Sequence, residues 1–176
     1  MVREKNLNKQ SGFTLIEMLL VVILLGILAM VIIPQISVST ADANLNTLQT
    51  NLSTVRNAIE LYCFQHNGAY PGERANDGSA GPTAAEAATA FVEQLTQYTD
   101  INGDCQTSTD ATHIYGPYLK ALNLPTNPFN SLNDVVCNIV QTDITDRTTT
   151  GATAWICHPA LGVFFANDGG AGNNLL

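Results

Sequence analysis

In the stretch "SGFTLIEMLLVVILLGILAMVIIP" one carboxylate, Glu17, stands four residues after Phe13, inside a run where 15 of the 21 residues from Phe13 to Ile33 are Phe, Leu, Ile or Val. A charged side chain deep in a membrane helix costs on the order of 3 kcal/mol, and less near a helix end, whereas those apolar residues at roughly −0.45 kcal/mol each contribute about −7 kcal/mol. Insertion tolerates the acid without explaining it. A carboxylate at such a depth needs a cationic or hydrogen-bonding partner. The small Ser11-Gly12 pair between a charged leader and an apolar helix marks a processing point. A cut between Gly12 and Phe13 would create an α-amine about one helical turn from Glu17. The chemistry on offer is ion pairing. GxSxG, HExxH, P-loop and GxGxxG motifs are all absent, and His113 has no base or nucleophile beside it in sequence, so no catalytic constellation is legible.

Further along, four cysteines, Cys63, Cys105, Cys137 and Cys157, allow three disulfide connectivities. Cys137 and Cys157 fall on two neighbouring predicted strands and are expected to pair, which leaves Cys63 to reach Cys105. Closing a loop of about 20 residues is worth roughly 3 kcal/mol in the chain-entropy description. Cys63 with His66, and Cys157 with His158, raise a zinc reading, but neither spacing forms a CxxC pair, and disulfides are preferred. In "DINGD", Asp100, Asn102 and Asp104 alternate as calcium ligands do, and Asn167 and Asp168 in "ANDGG" could add oxygens. An EF-hand would place Gly at its sixth position and Glu at its twelfth, where this chain has Cys105 and Ala111. A solvated Asx-rich turn is therefore the favoured reading there, with calcium as the alternative.

These residues must be positioned by the elements around them. The 21-residue apolar run would span roughly 30 Å as a helix, the thickness of a bilayer core. Beyond Pro34 the pattern becomes one-sided: Leu45, Leu48, Leu52, Val55, Ile59 and Tyr62 recur at intervals of three and four, an apolar stripe that should pack on the domain that follows. Asn67-Gly68 before Tyr70-Pro71-Gly72 stops this helix. Pro34 removes one backbone hydrogen bond and predicts a kink. Residues 68–82 read as a loop. Thr83 and Glu86 form a capping box for a short helix carrying Ala88, Phe91, Leu95 and Tyr98. "TDINGDCQTSTDATH" reads as a polar loop, and "IYGPYLKALNLPTNPF" as irregular, with Tyr115, Tyr118, Leu119 and Leu122 turned inward. "DVVCNIV", "TAWICH" and "GVFFAN" have strand character. The expected fold is α+β, a long N-terminal helix packed on a small head with a short antiparallel sheet. Its divisions are a leader at 1–12, a transmembrane or core helix at 13–34, an amphipathic half at 35–67 and a head at 68–176.

Charge and compartment follow. The net charge is −8, and removing 1–12 takes away three of seven basic residues and one of fifteen acids, leaving a chain of net charge −10. Such acidity argues against nucleic acid as a partner of the head. Basic residues before the apolar run put the N-terminus in the cytoplasm and everything after Pro34 outside, where disulfides persist. A removable secretory signal ending near "SVS" at 37–39 is the rival reading. It is disfavoured because a 21-residue core exceeds the roughly 7–15 residues of such signals.

"GFTLIE" followed by a long apolar helix resembles the signal of the type IV pilin and type II secretion pseudopilin superfamily. The resemblance covers about the first fifty residues. It implies that a prepilin peptidase cuts after Gly12 and that the new terminal Phe13 is N-methylated. It also implies that Glu17 pairs with the terminal amine of a neighbouring subunit and sets the register of a filament, and that Gly26 and Pro34 fall where the packed helix loosens. "PYLKALNLPTNPFN" and "AWICHPALGVFFAN" are similar, less specifically, to pseudopilin C-terminal patterns. A C-terminal disulfide resembles the brace of many type IV pilins, and a calcium site toward the C-terminus is implied for major pseudopilins. The resemblance therefore implies a non-enzymatic, pilin-like subunit of a secretion pseudopilus, with a type IV pilus subunit as the alternative. It places the chain in a bacterial inner membrane as a single-pass protein with a periplasmic head. The partners it implies are copies of the chain, sibling pilins or pseudopilins and an inner-membrane assembly platform. A membrane-anchored periplasmic enzyme or binding domain is the alternative from another class.

Overall fold

A computed structural model describes residues 12–169 and 172, without the side chains of 31–39, so residues 1–11 of the leader and the side-chain setting of Pro34 lie outside the described residues. In chain order the elements are α1 (Leu15–Gln65), α2 (Ala84–Thr96), β1 (Tyr98–Thr99), β2 (Cys105–Gln106), β3 (Val135–Cys137), β4 (Trp155–His158), a 3-10 turn at Pro159–Leu161 and β5 (Val163–Ala166). Contacts divide the chain between Ala43 and Asn44. In the first unit the described part of α1, from Leu15 to Met30, exposes apolar side chains on every face.

The second unit is α+β. Its core forms on the predicted stripe of α1, where Leu48, Leu52, Val55, Ile59 and Tyr62 are all buried, while Leu45 at the edge is half-buried. Against this stripe lie Ala87, Phe91 and Leu95 of α2 and Trp155, Cys157, Phe164 and Ala166 of the sheet. The helix stops as expected. Asn67 adopts a left-handed φ of 57°, and the Gly68 N–H returns to the Cys63 carbonyl at 2.9 Å. At the start of α2 both arms of the capping box are made, Thr83 N–H to Glu86 Oε2 at 2.8 Å and Glu86 N–H to Thr83 Oγ1 at 3.3 Å.

The three-stranded sheet has the order β3-β4-β5. β4 and β5 are antiparallel across the turn at Gly162, but β3 runs parallel to β4, which corrects the expectation of an all-antiparallel sheet. Residues 138–154 are the reason, being long enough to carry the chain back for a parallel crossover rather than a hairpin. "TDINGDCQ" is also not merely a loop, because β1 and β2 pair antiparallel around it. Leu122 is 81% exposed rather than inward, because Leu124, two residues on, takes the buried position.

Irregular segments are held by buried amides and one buried imidazole. Gln94 accepts the Gly72 N–H at 2.8 Å and donates to the carbonyls of Gly103, Arg74 and Ala75 at 3.0–3.3 Å. Gly103 has φ of 88°, and a Cβ there would come within 2.7 Å of both Gln94 Nε2 and Tyr62 Oη. His66 stacks on Tyr62 at 3.7 Å between centroids, contacts Tyr62 O at 2.9 Å through Nδ1, and meets Thr99 Oγ1 at 3.0 Å through Nε2.

Gln94→Leu takes the amide partner from the Gly72 N–H and from the Arg74 and Gly103 carbonyls, while the Ala75 carbonyl keeps the Gly78 N–H, so it should destabilise the fold by about 3 kcal/mol, read from urea unfolding. Burial pushes the His66 pKa below 6.5, against the raising pull of the Tyr62 carbonyl and of Asp100. A ring kept neutral in the fold and basic when unfolded contributes stability that is whole above about pH 6.5 and is lost progressively as pH falls toward the depressed value. His66→Gln should therefore flatten the stability profile below pH 6.5. His158, depressed chiefly by burial as well, leaves a residual slope of the same sign.

Candidate functional site at the start of the first helix

The segment singled out by its chemistry, Gly12 to Glu17, forms the entry to α1. Gly12 to Thr14 precede the helix in non-helical conformation, Phe13 is 81% exposed, and nothing lies within 4 Å of where a Gly12 side chain would stand. A peptidase would find this backbone accessible. Glu17 has a partner within its own chain: its Oε2 accepts the Thr14 backbone N–H at 2.8 Å and the Thr14 hydroxyl at 2.7 Å, while the Glu17 N–H reaches Thr14 Oγ1 at 3.4 Å. This is the capping geometry of Thr83 and Glu86 again, in "TLIE" instead of "TAAE". Thr14 is the functional residue absent from the sequence expectations, although its spacing to Glu17 is the same signal that marks the start of α2. The carboxylate thus satisfies two donors at the helix start and sits where the helix dipole favours an anion.

Along the helix, Gly26 leaves open space on an exposed apolar surface, with nothing within 4 Å of the point where a Cβ would stand. Among the described residues no helix is long and apolar enough to cross a membrane. From Leu15 to Met30 the apolar run holds sixteen described residues, and the remainder of the predicted span begins at Val31.

The other candidates are dispersed. Cys137 and Cys157 are bonded, at matched register on β3 and β4 with Cα atoms 4.6 Å apart. The expected Cys63–Cys105 bond is not made, and both thiols are free. The reason is rotation about α1. Tyr62 and His66 face the β1–β2 ribbon, whereas Cys63, about 100° around the helix from Tyr62, is turned to Tyr70. Cys105 is directed at the Gly103 carbonyl, 3.5 Å away, and burial with Glu93, Asp104 and Asp100 nearby pushes its thiol up to about 12. The zinc pairs fail as well, since Cys157 is in a disulfide and both ring nitrogens of His66 are engaged.

For calcium, Asp100 spends Oδ1 on the backbone N–H groups of Asn102 at 2.7 Å and Asp104 at 2.9 Å, and Asp104 Oδ2 turns to His113 at 3.4 Å. His113 also contacts Asp110 at 3.0 Å, and these carboxylates raise its pKa. Asn167 gives its oxygen to the N–H groups of Thr150 and Gly151 and its amide to the hydroxyls of Thr150 and Thr153, a structural role that leaves no lone ligand set. Asp100, Asn102 and Asp104 are thus held in one turn, and among the described residues no three His, Cys, Asp or Glu groups gather to hold a metal.

A profile described as the prokaryotic N-terminal methylation motif matches residues 7–33, a span containing Gly12, Phe13, Thr14 and Glu17. Through this segment the chain carries the prokaryotic N-terminal methylation motif. It is 36% identical over 67 residues to type II secretion system core protein G of Vibrio cholerae, covering 38% of this chain and 45% of that one. It is 38% identical over 64 residues to the protein of the same name from Pseudomonas aeruginosa, covering 36% and 44%. A longer match, 29% identical over 102 residues, joins 55% of this chain to 70% of prepilin peptidase-dependent protein D of Escherichia coli. The chain spans a little under half the length of the core protein G relatives named here, and no solved structure matches it significantly.

Thr14→Val removes the hydroxyl arm while leaving the apolar run intact. Amide exchange of Leu15 to Met18 in the detergent-solubilised chain should accelerate about fivefold, corresponding to a lost cap of about 1 kcal/mol.

Proposed function

We propose that this chain is a pilin-like structural subunit of a type II secretion pseudopilus, made as an inner-membrane precursor and assembled outside the cytoplasm through its N-terminal helix. The observation that carries this reading is the coincidence of "GFTLIE" with the methylation-motif match and with the relatives named core protein G. In this reading a prepilin peptidase cuts after Gly12, and Phe13 becomes the N-methylated terminus. The run from Phe13 to Ile33 anchors the subunit as a single pass before assembly, with the head in the periplasm. Glu17, capped by Thr14 within its own chain, exchanges part of that bonding for the terminal amine of a neighbour, and Gly26 and Pro34 mark where the packed helix loosens. Copies of the chain, sibling pseudopilins and an inner-membrane platform are its partners. The function is mechanical and requires no cofactor.

A type IV pilus subunit is the second reading. The bonded Cys137–Cys157 pair near the C-terminus and the longer match to the prepilin peptidase-dependent protein favour it.

N-terminal sequencing of protein from native membranes should begin at a modified Phe13, and a sequence starting at Met1 would overturn the reading. Glu17→Ala should insert normally and lose nearly all assembly; wild-type filament yield from that variant would refute the pairing role. Cells lacking the gene should keep their surface pili by electron microscopy and fail to release secreted protein. The opposite pattern would select the pilus reading.

A further inference from the structure

The three-stranded sheet has two faces, one of which builds the core. Val135, Trp155, Cys157, Phe164 and Ala166 turn to that core, whereas Val136, Ile156, His158 and Phe165 alternate with them and turn to the other side. The 138–154 crossover covers this second face. Arg147 stands 5.0 Å over the Phe165 ring, and a recess of about 640 Å³ opens between Ile156 and His158 of the sheet and Ile139, Asp146 and Thr148 of the crossover. Little apolar burial holds the crossover down, since its Val140 and Ile144 side chains are exposed.

Beneath this cover lies a titratable group with an unmet hydrogen bond. His158 is 3% exposed, meets Phe165 edge-on at 5.4 Å, and its Nδ1 has no hydrogen-bond partner among the described residues. A neutral imidazole protonated at Nε2 keeps Nδ1 as a bare acceptor, whereas an imidazolium needs acceptors for two N–H groups. Charging the ring therefore buries an unpaired cationic N–H, which costs more than the bare acceptor. Among the described residues the charged groups that act on the ring are Asp146, which favours the cation, and Arg147, which opposes it, both from the crossover. Asp146 spends its oxygens on the Gln141 amide and on the Thr148 N–H and hydroxyl. Burial outweighs it and holds the His158 pKa below its ordinary value. The covered state thus binds fewer protons than one in which the ring meets water, so falling pH favours uncovering.

We infer that the crossover is a pH-released strap: a proton arriving at His158 lifts residues 139–149 off the second face of the sheet, while the Cys137–Cys157 bond and the Asn167 clamp on Thr150 and Gly151 hold its two ends. Ile156 and Phe165, buried under the strap, are then uncovered on a head that stays folded. The test is an NMR titration of the detergent-solubilised full chain from about pH 7.5 to about pH 4.5, the range in which imidazoles titrate. The Phe165 ring current should displace the Arg147 side-chain resonances while the strap is down, and this displacement should be lost at the midpoint where the His158 ring protons titrate. Amides of Trp155 to His158 and of Val163 to Ala166 should keep their exchange protection throughout. In His158→Gln the displacement should persist to the lowest pH, whereas His66→Gln, which removes the other buried imidazole, should respond as the wild type does. Arg147 resonances that stay displaced across the range, an undiminished response in a folded His158→Gln chain, or strand protection lost together with the displacement each overturn the strap. Should His158→Gln fail to fold, the wild-type titration decides alone, and Arg147 and His158 midpoints more than about one pH unit apart overturn it.

Discussion

One face of α1, from Leu48 to Tyr62, cannot be left in water, and the head is the arrangement that covers it. Fully burying one such large apolar side chain is worth about 1.5–3 kcal/mol, so five on a single stripe outweigh any other single feature of the head. Phe91 and Leu95 cover it from α2, and Trp155 and Phe164 from the sheet. Polar contacts then fix the alignment of what covers it. Asn51 reaches the Thr126 carbonyl, Arg56 the Phe164 carbonyl, Gln65 accepts from Tyr118, and His66 meets Thr99. Each lies beside the stripe, within about one helical turn of a buried apolar position, so burial and register are decided together.

Much of the head is irregular, and buried backbone there needs partners that strands and helices do not supply. Side-chain amides fill this need because each offers both donors and an acceptor. Gln94 clamps the 72–75 segment to Gly103. Asn127 reaches Ala154, Asn130 reaches Thr153 and Asn167, and Asn167 closes the Thr150–Thr153 turn. The result is a head organised around a small sheet and a set of amide clamps.

The stripe on α1, the stop at Asn67-Gly68, the capping box at Thr83 and the Cys137–Cys157 bond are legible in sequence because each depends on spacing within one or two neighbouring elements. The direction of β3 is not, because whether residues 138–154 turn back or cross over is decided by how they pack, and their polar composition is silent on it. The expectation for Cys63 fails for a related reason: position along a helix is readable, but which neighbour stands at each angle around it depends on the tertiary arrangement. Thr14 is different, since its signal is present and is eclipsed by the apolar run it precedes. At the candidate site the Gly12-Phe13 peptide, the acid and the apolar helix are all visible in the sequence. The hydrogen bonds that hold the acid to Thr14 within its own chain require coordinates.

The bond between β3 and β4 sits at the two ends of the crossover, with Cys137 opposite Cys157. Everything between them is a covalently closed ring whose ends stay adjacent however the intervening chain is composed. Lengthening a closed loop is cheap, about 0.6 kcal/mol for each doubling of a flexible one. The crossover can thus change in length and sequence without endangering strand pairing, which makes it the natural place for related heads to diversify their outer surface while keeping one scaffold.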